Sequence, residues 1–375
     1  MRLRRHPGKR QPRSGGERMP DPILDNLDAR PKSSDLYLWC DYIEVRCLAH
    51  PDHRFSRGDL LELLDETVEL AVAGADLDDG PDADDDDELD SDEAEADEDG
   101  AAAVDTEPVA AGKHGLTLKD RNEAKTADFF KNLAYRASIF SDAYPFELDA
   151  PGQELRLRDI GPPLRKLYLQ LLLSATLRLV PKTRRHELTE PFEVLCTKIF
   201  SCLMPVGWQV HRFGAKGSTR YKGHLYARLK KLADDLRGQL LVERHHFKTT
   251  NAGDGGLDIV AWHPLGSDTR EGIPIALAQC GCTAEEWTLK TLEASPAKLG
   301  GNLRTLHEWA TYYFMPQDLV DGQGTKQDWQ RRPSLTRCII IDRMRLIRLA
   351  DAYGVGAECA NAAERVVEAT QLAIK

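Results

Sequence analysis

The chain has 375 residues, 41% apolar and 30% charged, with a formal net charge of −11 at pH 7. That length holds one large domain plus a smaller one. No run of about 18 uncharged apolar residues, the length of a spanning helix, occurs. Leu164–Val180 comes nearest, and Arg165, Lys166, Gln170 and Arg178 interrupt it.

The N-terminus is basic but lacks the apolar core of a secretory signal. The expectation is a soluble, cytoplasmic protein with no membrane partner. The eight cysteines are scattered without Cys-x-x-Cys spacing, which points to reduced, buried thiols and not to a zinc site or a disulfide framework. Charge is segregated along the chain. Sixteen carboxylates and no basic residue lie between Asp76 and Asp99, and without that run the net charge turns from −11 to +5. The segment 182–248 carries fourteen Lys and Arg against six Asp and Glu, a local excess that suits a phosphate-facing surface or a solvated basic helix.

Residues 1–34, rich in Arg, Pro and Gly, read as a disordered basic tail. Residues 35–75 read as a helical N-terminal segment, with Ser56 as the cap of its second helix. Residues 76–112 read as an acidic, disordered linker whose like charges extend it. Residues 113–180 complete a helical N-terminal domain. In it Leu116–Ser141 is an exposed helix, Tyr144–Arg158 a hairpin turning at Pro151-Gly152, and Leu164–Leu179 an apolar helix. Nothing in that domain names its partner, although it offers a place for a protein one.

The character changes near Pro181. Thr189 is placed to cap a helix carrying Phe192, Leu195, Ile199 and Leu203, with Pro191 and Glu193 in its first turn. A strand Trp208–Phe213, a basic turn, and a basic amphipathic helix Tyr221–Leu236 follow. Further strands are expected at Leu240–His245, Leu257–Trp262, Ile275–Cys282 and Arg337–Asp342, with helices at Glu285–Ala294 and Arg343–Ala352. This order predicts an α/β sandwich around a small mixed sheet over residues 181–352, with a C-terminal helix at 353–375.

Within that domain a glycine-rich turn, Gly253-Asp254-Gly255-Gly256, delivers Asp258 into the apolar run Leu257–Trp262, and a second run, Ile275–Ala278, ends at Gln279. A buried carboxylate without a partner is costly, so a metal or a cationic side chain is expected beside Asp258. Phosphodiester hydrolysis needs a cation that polarises the phosphoryl oxygen and activates water near neutral pH, and magnesium takes hard oxygen ligands. Asp254 is read as a turn-shaping residue. His211, His224, His245 and His246 have no ligand spacing, which argues against zinc.

The helix with Glu193, the strand, Gly253-Asp254-Gly255-Gly256-Leu257-Asp258 and Ala278-Gln279-Cys280-Gly281 together resemble the PD-(D/E)xK nuclease superfamily, and within it the Mrr-like restriction endonucleases. The resemblance covers about residues 185–350. It implies a restriction-endonuclease-like sandwich and a Mg²⁺- or Mn²⁺-dependent endonuclease acting on DNA in restriction or anti-phage defence. It makes Asp258 and Gln279 the metal ligands, adds the Cys280 backbone carbonyl as a third, and makes Glu193 a supporting acid. The superfamily's lysine position is Gly281 here, and strand alternation puts Cys280 and Cys282 on the opposite face. Lys290 is the preferred replacement and Lys298 the next. Arg212, Lys216, Arg220 and Lys222 are the expected nucleic-acid contacts. Core packing is the commoner fate of their neighbours Trp208, Tyr221 and Tyr226. RNA stays open as a substrate, as does a homo-oligomer. The second expectation is a nuclease-fold module that has lost turnover and acts by binding nucleic acid or protein.

Overall fold

The computed structural model describes residues 23–24, 26–73, 117–214, 218–247, 255–266, 268–284, 287–321, 327–330 and 338–356, with side chains from 66 to 73 left aside. The acidic linker, most of the basic tail and of the C-terminal helix, Lys216 and Asp254 lie outside the described residues. In chain order the elements begin with α1 (Leu36–Ala49), β1 (Arg54–Ser56), α2 (Arg57–Ala73) and α3 (Leu118–Phe140). Then come β2 (Phe146–Leu148), β3 (Glu154–Leu157), α4 (Pro163–Ala175), α5 (His186–Leu203) and β4 (Gln209–Arg212). After α6 (Leu225–Leu236), β5 (Gln239–Leu240), β6 (Ile259–Trp262) and β7 (Ile275–Cys280) follow α7 (Trp287–Lys290) and α8 (Pro296–Leu299). The last elements are β8 (Leu303–Arg304), β9 (Ala310–Phe314), β10 (Val320–Asp321), β11 (Asp328–Trp329), β12 (Ile339–Ile341) and α9 (Arg343–Ala352).

The fold is mixed α/β. Its central sheet runs in the order β12-β9-β7-β6-β4, parallel across β12, β9 and β7 and antiparallel across β7, β6 and β4. Strand alternation sorts two cores onto its two faces. Ile259, Ala261, Ala276 and Ala278 join Leu195, Cys196, Ile199 and Phe200 of α5. Val260, Trp262, Ile275 and Leu277 join Leu225, Leu229, Leu232 and Leu236 of α6. β1 adds a third strand to the hairpin of β2 and β3, where Gly152 takes a positive φ at the turn.

Several expectations shift. α3 is exposed on one side only, because Phe129, Leu133, Arg136 and Phe140, at helical spacing, are buried against α1 and α2. Ile23 and Leu24, read as tail, are buried in the core. α5 begins at His186, a turn before Thr189, since Leu188 is buried and Arg184 pairs with Glu187 at 3.0 Å. The strand expected at Leu240–His245 stops at Leu240, and Arg244–His246 form a 3-10 turn closed by Glu243. β9, an interior strand of the sheet between β12 and β7, was not anticipated.

A buried ionic cluster ties the N-terminal helices to the sheet. Arg136 of α3 meets Asp41 at 2.8 Å and Glu44 at 3.0 Å, both on α1, while Arg343 of α9 holds Asp41 at 2.9 Å. Tyr144 and Tyr168 donate their hydroxyls to Glu44. Asp318 stands 3.1 Å from the Arg136 Nε, off the line of its N–H. Three carboxylates face two guanidiniums, and Asp342, capping α9, adds a fourth. Removing one partner of such a group leaves an uncompensated buried charge, at a cost of roughly 3–5 kcal/mol.

Burial, only partly offset by Arg136, pushes Asp318 up from 3.8 to about 6, and it pushes Glu44 and Asp342 upward too. Below about pH 4 Asp318 is protonated whether the chain is folded or not. Between about pH 4 and 6 the folded chain keeps a proton that the unfolded chain has released, so this contribution to stability is lost as the pH rises. Denaturation midpoints measured from pH 4 to pH 7 are expected to fall over that window. Asp318→Asn should flatten the fall, and an unchanged slope would place the proton on another member of the cluster.

Candidate active site

Asp258 precedes β6 by one residue, and the register of Ile259 opposite Ala278 places it opposite Gln279. Residues directly opposite in an antiparallel pair share a face, here the face of α6. The Asp258 carboxylate accepts the backbone N–H of Cys280 at 2.7 Å, and its own backbone bonds to Ala278 and Phe213 fix it across three strands. The turn before it needs glycine. Gly255 and Gly256 have φ of +66° and +75°, and a Cβ on Gly256 would lie 2.5 Å from the Glu293 Cβ.

Glu293 is the residue the sequence does not reveal. It follows α7, reaches back over Gly256, and accepts a hydrogen bond from the Gln279 amide nitrogen. Its other oxygen is 3.9 Å from the Lys298 ammonium, and its side chain is 22% exposed. The Gln279 amide is oriented by that contact, since the opposite flip would set its oxygen against a carboxylate. Its Oε1 is therefore left buried without a hydrogen-bond partner.

Gly281 stands where a side chain cannot. A Cβ there would lie 1.9 Å from the Tyr313 hydroxyl, and no left-handed φ is involved, so the demand is purely for space. Tyr313, on β9, is the register partner of Gln279 in the parallel pair and shares its face. Its ring is fixed among Tyr37, Trp287 and Met315, and its hydroxyl too has no partner. Burial, reinforced by negative charge on Glu293 and Asp258, holds this phenol protonated far above its ordinary range. Each such unmet buried polar atom costs about 1–3 kcal/mol.

The other expected residues are placed as follows. Glu193 lies in the body of α5, not its first turn, and takes the Arg212 guanidinium from β4. Arg212 is therefore tied inward and only 15% exposed. Arg220 grips Asp235 with two nitrogens and lies 5.2 Å over the Trp262 ring, while Lys222 is exposed. Tyr221 is buried and shares Asp235. Lys290 lies near the Cys282 thiol, whose upward shift it opposes, and Lys298 is the lysine joined to the acidic group. Burial raises the thiols of Cys196, Cys280 and Cys282, which keeps all three from acting as thiolates.

Among the described residues no three His, Cys, Asp or Glu side chains form a metal-holding group. The set gathered here is instead two carboxylates, Asp258 and Glu293, and the amide oxygen of Gln279. These are hard oxygens of the kind magnesium or manganese takes, and the Gln279 Oε1 is buried without a hydrogen-bond partner. Nothing in the local sequence flags Glu293, because it joins the group only through the return of the chain after α7. Tyr313 had a signal in the aromatic run Tyr312-Tyr313-Phe314, which is followed by Met315-Pro316.

Comparison with protein-family models, with curated proteins and with solved structures finds no match to this chain. The site therefore stands on its own geometry.

Gly281→Ala is expected to lower stability by about 1–3 kcal/mol through overpacking against Tyr313. The same change in a Tyr313→Ala background should cost clearly less, as denaturant unfolding of the four proteins would show. Equal costs in both backgrounds would remove Tyr313 as the obstacle.

Proposed function

We propose that this protein is a divalent-cation-dependent endonuclease with a restriction-endonuclease-like core, acting on DNA in restriction or anti-phage defence. The observation that carries the reading is the convergence of Asp258, Gln279 and Glu293 at one end of β6 and β7. A mixed sheet with α5 against one face and α6 against the other supports it, as does the resemblance of the Gly-Asp-Gly-Gly-Leu-Asp258 and Gln279-Cys-Gly segments to the PD-(D/E)xK superfamily.

Asp258, Glu293 and the Gln279 Oε1 would hold Mg²⁺ or Mn²⁺. When bound, that ion supplies Lewis-acid polarisation of the phosphate and favours deprotonation of water. A water oxygen bonds to phosphorus, the bond from phosphorus to the leaving sugar oxygen breaks, and that oxygen takes up a proton. The chain's own part is to fix groups beforehand. The Cys280 N–H holds the Asp258 carboxylate in one orientation, and the Gln279 amide does the same for Glu293. Gln279 is neutral where many members of the superfamily have a carboxylate, and Glu293 returns the missing negative charge. Lys298 brings the ammonium to this group, from a position outside the strand.

A second reading has its own observation. With Tyr313 filling the space at Gly281, the fold could serve as a module that binds nucleic acid without cutting it.

The deciding assay is cleavage of supercoiled plasmid by the full chain with Mg²⁺ or Mn²⁺. Wild type is expected to nick or linearise the DNA, and Asp258→Ala to slow this by about 100-fold or more, the scale of losing one group that stabilises developing charge. Equal rates in the two proteins would end the proposal. Salt-sensitive DNA binding with no cleavage at either cation would favour the second reading.

A further inference from the structure

We infer that Tyr313 is a catalytic residue of this site, donating its phenolic hydrogen bond to a phosphoryl oxygen of the bound phosphodiester. The inference rests on the nuclease reading and goes a step past it, since it concerns the group that fills the space above Gly281.

Three observations carry it. The Tyr313 hydroxyl occupies the space above Gly281, where a side chain at that strand position would start. The residue is the register partner of Gln279 on the same face, so Asp258, Gln279 and Tyr313 form a row across β6, β7 and β9. Its hydroxyl and the Gln279 Oε1 are both buried without hydrogen-bond partners. Buried polar atoms left unmet in a folded protein call for a specific explanation, and a ligand that meets both is the economical one. An acceptor amide oxygen suits a cation, and a hydroxyl suits an anionic oxygen carried beside it.

The chemistry around Tyr313 sets its role. Asp258, Glu293 and the Gln279 Oε1 are acceptors, and the Lys298 ammonium is drawn to Glu293, so a phosphate entering here gains from a further donor. A neutral phenol supplies one without a charge that would compete with the cation for the two carboxylates. Because the hydroxyl is shielded in this structure, the phosphate must displace a covering side chain.

The test is Tyr313→Phe, read in two ways. Thermal denaturation of the cation-free protein is expected to give a midpoint equal to or above that of wild type, since the change deletes a hydroxyl that bonds to nothing. Plasmid cleavage is expected to fall by about 100-fold in turnover, with little change in the DNA concentration for half-maximal rate, as for the loss of one donor to developing charge. A clear drop in midpoint would show that the hydroxyl has a structural partner and would overturn the inference. Full cleavage by the Phe variant would overturn it as well, leaving the nuclease reading intact. Absence of cleavage by wild type itself would sink that reading, and this inference with it.

Discussion

The fold turns on a charge that has been taken out of water. Asp41 is gripped from one side by Arg136 and from the other by Arg343, residues brought together from α3 and α9. In a low-dielectric interior an unpaired carboxylate or guanidinium is strongly disfavoured, so each partner can be buried only while the others are in place. The cluster thus makes α1, α3, α4 and α9 mutually dependent. It also demands a definite arrangement, because a guanidinium must meet its carboxylates in a fixed fork. Hydrophobic contacts alone would allow these helices to slide.

That dependence extends to the site through Tyr37. Its backbone carbonyl accepts from Arg136, inside the cluster, and its hydroxyl donates to the Ala284 carbonyl and accepts from the Trp287 indole. Ala284 and Trp287 both lie on the stretch of chain between β7 and Glu293. One side chain of the first helix therefore joins the charged core to the segment behind Gln279. The Tyr313 ring, in the same apolar cluster as Tyr37 and Trp287, is held from behind by these contacts. Preorganisation of Asp258 and Glu293 is in this sense a property of the whole chain and not of two strands.

Much of this was legible in the residues. The hairpin at Pro151-Gly152, the Ser56 cap, and the strands that carry Asp258 and Gln279 follow from local rules that the chain obeys. Asp258 opposite Gln279 needed only the register of two adjacent strands. What escaped reading is what depends on distant partners. β9 is flanked by β12 and β7 and is apolar along most of its length, so it lacks the alternation that marks a half-exposed strand. Asp41, Glu44, Arg136 and Arg343 look like surface residues in sequence, since charged groups are buried only in company that the sequence does not display. Glu193 was expected in a first turn, but an earlier start to α5 puts it in the body of the helix and beside Arg212. Glu293 belongs to the same class: its meaning comes from Gln279, fourteen residues earlier in the chain.

The pairing of α2 with α3 bears on the acidic stretch between them. The two helices pack together, and Asn122 near the start of α3 donates to Asp65 in the middle of α2 at 3.1 Å. The chain that leaves α2 at Ala73 is thus returned at Thr117 to the element it left, where a capping box restarts the helix. The two ends of the stretch between Ala73 and Thr117 thus belong to one pair of packed helices. Closing a loop grows costlier only with the logarithm of its length, by about 0.6 kcal/mol per doubling. By that measure the number of residues between Ala73 and Thr117 weighs little on the stability of the helix pair that they connect.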